Sequence, residues 1–454
     1  MDFLGEEYLL ETESAKTLYD AIRDRPIVDP HSHTDVAEIA ANEGWNDVWE
    51  VQGATDHYVW ALMRNFGVSE NLITGDASNR EKWNALAEVF PKIAGNPTYE
   101  WVHLDLKRRF GIDERISPAT ADDIWAETRD QLARDEMRPQ ELLREMNVEV
   151  VCSTDDPTDS LADHAHIADA VDGVDVRPTW RADRVLGVDD PEWPTVADEL
   201  ADTTGIETDD LDGYVAALKA THDRFAEHGC RASDLGVQEP VSRPVTADRA
   251  DEVFDRLHAG ESVDEEAAGD LQAYLLERLG EWNAEKGWVT QFHLGPVRNY
   301  REDLYESLGP AAGGDVSTQH VDIEQNLRHF LNAFDGELDV VLYCLDPSHY
   351  PTIATLARVF PNVSVGPAWW FNDSAHGIEE QLEYVGTVDT LWTHAGMVSD
   401  SRKLLSYGSR FEVFRRSLAN AVGRGVERGQ LPMDRARDLV EHVAYDRPVE
   451  LYDF

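Results

Sequence analysis

Lysine is nearly missing from this chain of 454 residues: 7 Lys and 33 Arg make up its 40 basic residues, against 89 Asp and Glu. A formal net charge of −49 excludes the positive footprint that nucleic acid requires, and an anionic membrane surface would repel such a chain too. Long apolar runs are absent, which excludes a membrane-spanning helix. Cysteine is scarce, and Cys152, Cys230 and Cys344 form no CxxC pair, so they read as small buried residues of a reducing compartment. There is no tandem repeat and no low-complexity linker. The acidic start MDFLGEEYLLETESAK does not resemble a basic signal peptide, and a soluble cytoplasmic protein is expected.

What is present is aromatic and acidic. The 13 Trp, 14 Tyr and 14 Phe argue for a packed interior rather than disorder. Acid enrichment with lysine stripped out suits very high salt, where screening collapses the self-repulsion of the folded state. A halophile's cytoplasm is the expectation, with an ordinary acidic enzyme as the alternative. Structure and activity should then decline in dilute buffer. A melting temperature that stays constant between about 0.1 and about 3 M KCl would contradict this.

Short apolar, β-branched runs recur at 26–29, 148–152, 174–177, 230–233, 288–292, 338–343, 362–365 and, faintly, 389–392. Segments of helical spacing lie between most of them, such as Leu218 to Phe225 and Leu327 to Phe334. That alternation implies an α/β fold with a parallel sheet, and eight runs predict a closed (β/α)8 TIM-type barrel. Residues 27–34 and 148–420 would form it, after an N-terminal helical segment at 1–26. A helical insertion at 35–147 would lie near the mouth, and a helical tail would run from 421 to 454. The runs lead into His31/His33, Thr154/Asp155, Trp180/Arg181, Asp234, His293, Asp346, Trp369/Trp370 and Asp400/Arg402. In a barrel, strand ends open on one catalytic mouth.

His31 and His33, two apart at a strand end, project to one side and are candidate ligands of a divalent ion, with Asp400 the natural third. Binuclear barrel hydrolases with this HxH pattern bridge two metals through a lysine of the fourth strand. No lysine lies between Lys107 and Lys219 or near Asp234, so a single ion is expected. Arg64, Arg181, Arg298 and Arg402 would give an acidic protein a local positive site for an anionic ligand, such as a carboxylate held bidentately. Each could instead pair with a neighbouring acid. Trp369-Trp370-Phe371 either stack on a sugar face or fill core.

The segments DPHSHTD (29–35), DHYVWALMRNFGV (56–68), PTWRADRV (178–185), GCRASDLG (229–236), QFHLGPVRNY (291–300), GPAWWFND (366–373) and GMVSDSRKLLSYGSRFEVFRR (396–416) occur in this order. In them the chain resembles the uronate isomerases (glucuronate isomerases) of the amidohydrolase superfamily, over nearly its whole length. Ser32, Thr34, Pro296 and Tyr300 depart from that family's commoner residues, and none of them is a proposed catalytic position.

The resemblance implies reversible aldose–ketose isomerisation in hexuronate breakdown, D-glucuronate to D-fructuronate and D-galacturonate to D-tagaturonate. It implies His31, His33 and Asp400 as ligands of one divalent ion, zinc before others, and Tyr58 as the proton-transfer residue. Arg181, Asp234, His293, Trp370 and Arg402 match positions that line the family's pocket, His293 as a metal or a sugar contact. In this reading Tyr58, Asp400, Arg402 and His293 serve catalysis, while Arg64, Arg181, Asp234, Arg298 and Trp370 bind a hexuronate. A homo-oligomer is left open. A proton would move between C2 and C1 through an enediol(ate), which asks for one acid–base group and stabilisation of charge on the two oxygens. The rival readings are a mononuclear metal hydrolase or decarboxylase on the same fold and a non-catalytic sugar-acid binder.

Overall fold

The structure is a computed structural model and describes residues 2–171 and 173–454. The β-branched runs become strands β1 (Ile27–Asp29), β2 (Val148–Cys152), β3 (Asp175–Arg177), β4 (Trp180–Arg181), β5 (Ala232–Val237), β6 (Val289–Leu294), β7 (Pro296–Val297), β8 (Val316–Ser317), β9 (Val340–Cys344) and β10 (Val363–Val365). They form a parallel sheet in the order β1-β2-β3, a second in the order β10-β9-β6-β5-β4, parallel throughout, and an antiparallel β7-β8 pair. β6 and β9 are buried along their whole length, which requires cover on both faces. Helices between the strands supply it: Leu218 and Phe225 of Leu211–Glu227, with Leu275 and Leu279 of Glu265–Lys286, share one core with Phe292 and Leu342.

The third expected run becomes β3, and Pro178, which has no N–H to donate, separates it from β4, which belongs to the other sheet. Residues just past β2 join those sheets. The Asp155 N–H donates to the Thr179 carbonyl, and the Asp155 carbonyl accepts from the Arg181 N–H, both at 3.0 Å. At the other margins, Ala395 N–H donates to Val365 O at 2.9 Å and Asp400 N–H to His31 O at 3.1 Å, while His33 N–H donates to Ser401 O at 2.9 Å. The eighth expected strand, 389–392, is not formed. Thr390 Oγ1 accepts from Trp392 N–H at 3.2 Å and winds Leu391–Thr393 into a 3₁₀ turn, so the chain at the margin of β10 is 395–401 instead.

Between 35 and 147 the described residues form helices and no strand. These helices pack into the core of the sheets: Trp49, Trp83 and Trp101 belong to the same buried cluster as Val151, Leu404 and Phe411. Near the N-terminus the helix Glu13–Ile22 lies against Ser406–Glu427 so closely that a Cβ on Gly423 would come within 2.8 Å of the Ala15 nitrogen. Ser406–Glu427 runs unbroken through residue 421, so the C-terminal tail begins inside a helix. The last helix of the tail ends at Tyr452, whose buried hydroxyl accepts from Gln291 Nε2 of β6 at 2.8 Å. Among the described residues no helix is long and apolar enough to cross a membrane.

Candidate metal and anion site

At the end of β1, buried Asp29 accepts from Ser399 N–H at 2.9 Å and from Ser399 Oγ, which pins 399–401 beside the residues that follow the strand. Asp400, left-handed at φ +49°, turns its carboxylate inward. Its Oδ1 lies 3.4 Å from His31 Nε2 and 3.1 Å from His33 Nε2, contacts that are close without being aligned as hydrogen bonds. Its Oδ2 accepts from Trp369 Nε1 at 2.9 Å. Thr154 Oγ1 meets His33 Nδ1 at 2.7 Å, which fixes the ring so that Nε2 is the atom turned to Asp400. Burial holds His33 down to about 4 against the pull of Asp400. Burial also opposes charge on His31, but Asp234 and Asp400 outweigh it and raise that group. Burial opposes ionisation of Asp400 as well, yet the two histidines hold it well below the usual carboxylate range.

A second set shares His31. Asp234 Oδ1 lies 2.6 Å from His293 Nδ1, the His293 ring is 4.4 Å from that of His31, and Tyr343 stacks on His293 at 4.2 Å. His31-His33-Asp400 and His31-Asp234-His293 each bring three donor atoms within 4.8 Å of one another. Asp400 Oδ1, His31 Nδ1 and His293 Nε2 are buried without a hydrogen-bond partner. A divalent cation answers such a donor set: imidazole nitrogens, a carboxylate, and oriented second partners.

The four predicted arginines divide. Arg64 is not brought to this cluster, because its fork is taken up by Glu70 at 2.8 and 2.7 Å and its remaining nitrogen donates to the Ala312 carbonyl. Arg181 pairs with Asp183 at 2.7 Å and lies 3.8 Å from Asp234. Arg298 pairs with Asp315 at 3.1 Å and sits 5.1 Å over the Trp370 ring. A Cβ on Gly236 would meet Arg181 Nη2 at 3.3 Å and Arg298 Nη2 at 3.4 Å, so glycine is what lets both tips meet above β5. Arg402 donates to the Ala311 carbonyl at 3.3 Å, and among the described residues no carboxylate lies within 4.0 Å of it. Burial lowers its pKa, Asp400 and Asp56 oppose this, and Arg298 and Arg181 add to it.

Tyr58 stands on the helix His57–Asn65, which Asp56 caps by accepting from Tyr58 N–H at 2.9 Å. The Tyr58 hydroxyl donates to Asp373 at 3.1 Å, and Arg410 donates to the same carboxylate at 2.6 Å. Burial and the Asp373 charge push the phenol well above its usual range, although Arg410 opposes them. Asp373 and Arg410 escaped the sequence reading, as did His57, which burial and then the Arg402 charge hold down to about 4, and Lys403. Lys403 Nζ is buried, 2.9 Å from Asp56 and 3.2 Å from Gln52 Oε1, and ties the 400–403 turn to the cap below Tyr58. The signal for Lys403 was its position, one of only seven lysines, three residues beyond Asp400. Asp346 caps a 3₁₀ turn through Ser348 N–H and takes no part.

Paired histidines and a carboxylate at parallel strand ends, beside a guanidinium that lacks a counter-ion, define an α/β centre suited to a divalent cation and an anion together. A glucuronate isomerase family model matches residues 1–452. The chain is 52% identical over 450 residues to a uronate isomerase of Thermotoga maritima, covering 99% of each. The crystal structure of a uronate isomerase from Thermotoga maritima superposes with a TM-score of 0.98, covering 100% of both chains at 52% identity. A glucuronate isomerase from Caulobacter crescentus does so with a TM-score of 0.95 at 28% identity, covering 99% of this chain and 96% of that one. The chain belongs to the glucuronate isomerase family, and it is an isomerase.

Proposed function

We propose that this enzyme interconverts D-glucuronate with D-fructuronate and D-galacturonate with D-tagaturonate. The observation that carries the reading is Arg402, a guanidinium with no carboxylate within 4.0 Å among the described residues of a chain of net charge −49, two residues from Asp400, which faces His31 and His33. An anionic substrate supplies the missing counter-charge, and Arg402 binds its carboxylate. Arg181 and Arg298 stand ready at the same mouth, Trp370 gives an apolar wall, and Arg64 acts indirectly by holding Ala312 beside the Ala311 carbonyl that Arg402 uses.

His31, His33 and Asp400 would hold one divalent ion, zinc our first choice, which when bound supplies electrophilic polarisation of substrate oxygen. Purified enzyme is expected to carry one metal equivalent per chain by elemental analysis, and His33→Ala to carry less than a tenth of that. Full occupancy in the variant would transfer the site to His31, Asp234 and His293.

Tyr58 rests protonated and enters as a hydrogen-bond and proton donor at the sugar oxygens. Its service as a base requires that its proton pass to Asp373, the acceptor already 3.1 Å away. The test is incubation with each hexuronate in molar KCl, followed by NMR in D2O. Ketose is expected from both sugars, with deuterium at the transferred position reporting exchange. Tyr58→Phe should slow the reaction about a hundredfold at unchanged fold. No ketose in high salt, with or without added zinc, would return the site to a hydrolase or a binder.

The same reading includes a (β/α)8 barrel, supported by the bridges at Asp155 and at 395–401 that link the margins of the two sheets. Residues 35–147 are its helical insertion beside the mouth, to which the helix of Tyr58 contributes. A cytoplasmic, halophilic setting fits the lysine-poor acidic composition.

A further inference from the structure

Away from the mouth, a cavity of about 380 Å³ opens near the starts of β1 and β2, where Ile27 and Asn147 line it, between the helices Glu13–Ile22, Pro97–Phe110 and Ser406–Glu427. Its inner wall is basic, against the grain of a chain with net charge −49. Arg108 and Arg416 share one carboxylate, Glu412, at 2.8 and 2.9 Å, and Arg109 pairs with Glu145. Among the described residues no carboxylate lies within 4.0 Å of Arg415. It is 5% exposed, its terminal nitrogens donate to the carbonyls of Arg23 at 3.1 Å and Pro26 at 2.7 Å, and its buried Nε has no partner. On the inner wall four guanidinium groups therefore face two carboxylates. At the rim Arg23 lies 3.7 to 3.8 Å from Glu6, Asp20 and Asp24, and Arg25 lies 3.5 Å from Glu441.

A buried charge without a counter-ion is costly in a folded protein. Burial alone brings Arg415 down to about 10, with Tyr19 and Asp24 working against it. The mouth does not use these residues. Arg108 and Arg416 also hold the Leu4, Glu6 and Tyr8 carbonyls, which leaves Arg109 and Arg415 as the wall residues without that tie. We infer that this cavity is a second anion site, which takes a small dianionic oxyanion of the phosphate type, either free or as the phosphoryl group of a metabolite. Arg415 and Arg109 carry the recognition, since forked N–H donors match such oxygens in pairs. Arg108 and Arg416, already shared by Glu412, set the background potential.

Inorganic phosphate is titrated calorimetrically into the full-length enzyme at an ionic strength held constant with KCl. One saturable phosphate per chain is expected in the wild type and in the mouth variant Arg402→Gln. Affinity should fall tenfold or more in Arg415→Met and in Arg109→Gln. Arg109→Gln, whose residue is tied only to half-exposed Glu145, keeps the test open should Arg415→Met not fold, and it should isomerise hexuronates normally without phosphate. Bound phosphate should also raise the melting temperature of the wild type and not of the cavity variants. Tighter binding of glucose 6-phosphate than of phosphate would assign the site to a phosphorylated metabolite, and equal or weaker binding to the free ion. No saturable heat in the wild type overturns the inference, and so does binding that Arg402→Gln abolishes while both cavity variants retain it.

Discussion

Asp400→Asn is expected to lower kcat/KM for both hexuronates by three to four powers of ten, about 4 to 6 kcal/mol of transition-state stabilisation, while leaving the fold intact. The substitution isolates charge from shape. Asn is nearly isosteric, and it tolerates the left-handed backbone that residue 400 adopts at φ +49°, where most side chains would strain. The hydrogen bond from Trp369 Nε1 can be kept by the amide oxygen. What is lost is the negative charge between His31 Nε2 and His33 Nε2, and with it a ligand of the proposed cation. Stopped assays of ketose formation, with circular dichroism as the control for fold, check this. Turnover within tenfold of wild type would remove Asp400 from the machinery.

Arg410→Met should destabilise the protein by about 3 to 5 kcal/mol, because it leaves the buried Asp373 carboxylate without its cation. Arg410 and Asp373 are both nearly inaccessible and meet at 2.6 Å, and the guanidinium also lies 4.4 Å over the Trp101 ring. Replacing it with a side chain of similar length separates the lost charge from a packing void. Turnover should fall as well, because Arg410 opposes the burial and the Asp373 charge that raise the Tyr58 phenol, and without it the phenol gives its proton to the sugar less readily. Denaturant unfolding measures the first effect. Arg410→Lys, which keeps a charge, should recover part of the stability. A loss under 1 kcal/mol would mean that Asp373 finds another partner or protonates at little cost.

Much of the candidate donor set was legible along the chain because its logic is local. Two histidines separated by one residue at the end of a β-branched run must come close, whatever the rest of the fold does. The helical character of 35–147 was legible for the same reason, through apolar spacing. Where local signals competed, the reading failed. Thr390 winds 391–393 into a turn where a strand was expected, and of the two readings open for Arg64 the structure shows the pair with a nearby acid, Glu70, six residues away.

The rest of the site depends on contacts that no local pattern encodes. Tyr58 meets Asp373 across 315 positions, and Lys403 meets Gln52 across 351. His293 finds Asp234 across 59 positions because both stand on neighbouring strands of one sheet. By itself, the sequence determined the class of fold, the family, the HxH pair at 31 and 33 and the acidity of the chain, since each follows from composition or from local patterns. Tertiary structure alone decided which arginine of the mouth has no carboxylate beside it, which carboxylate accepts from the Tyr58 hydroxyl, and that four arginines gather on one wall of a second cavity. Those outcomes depend on which buried charges are brought within a few ångströms of one another, and only the packing of distant segments sets that distance.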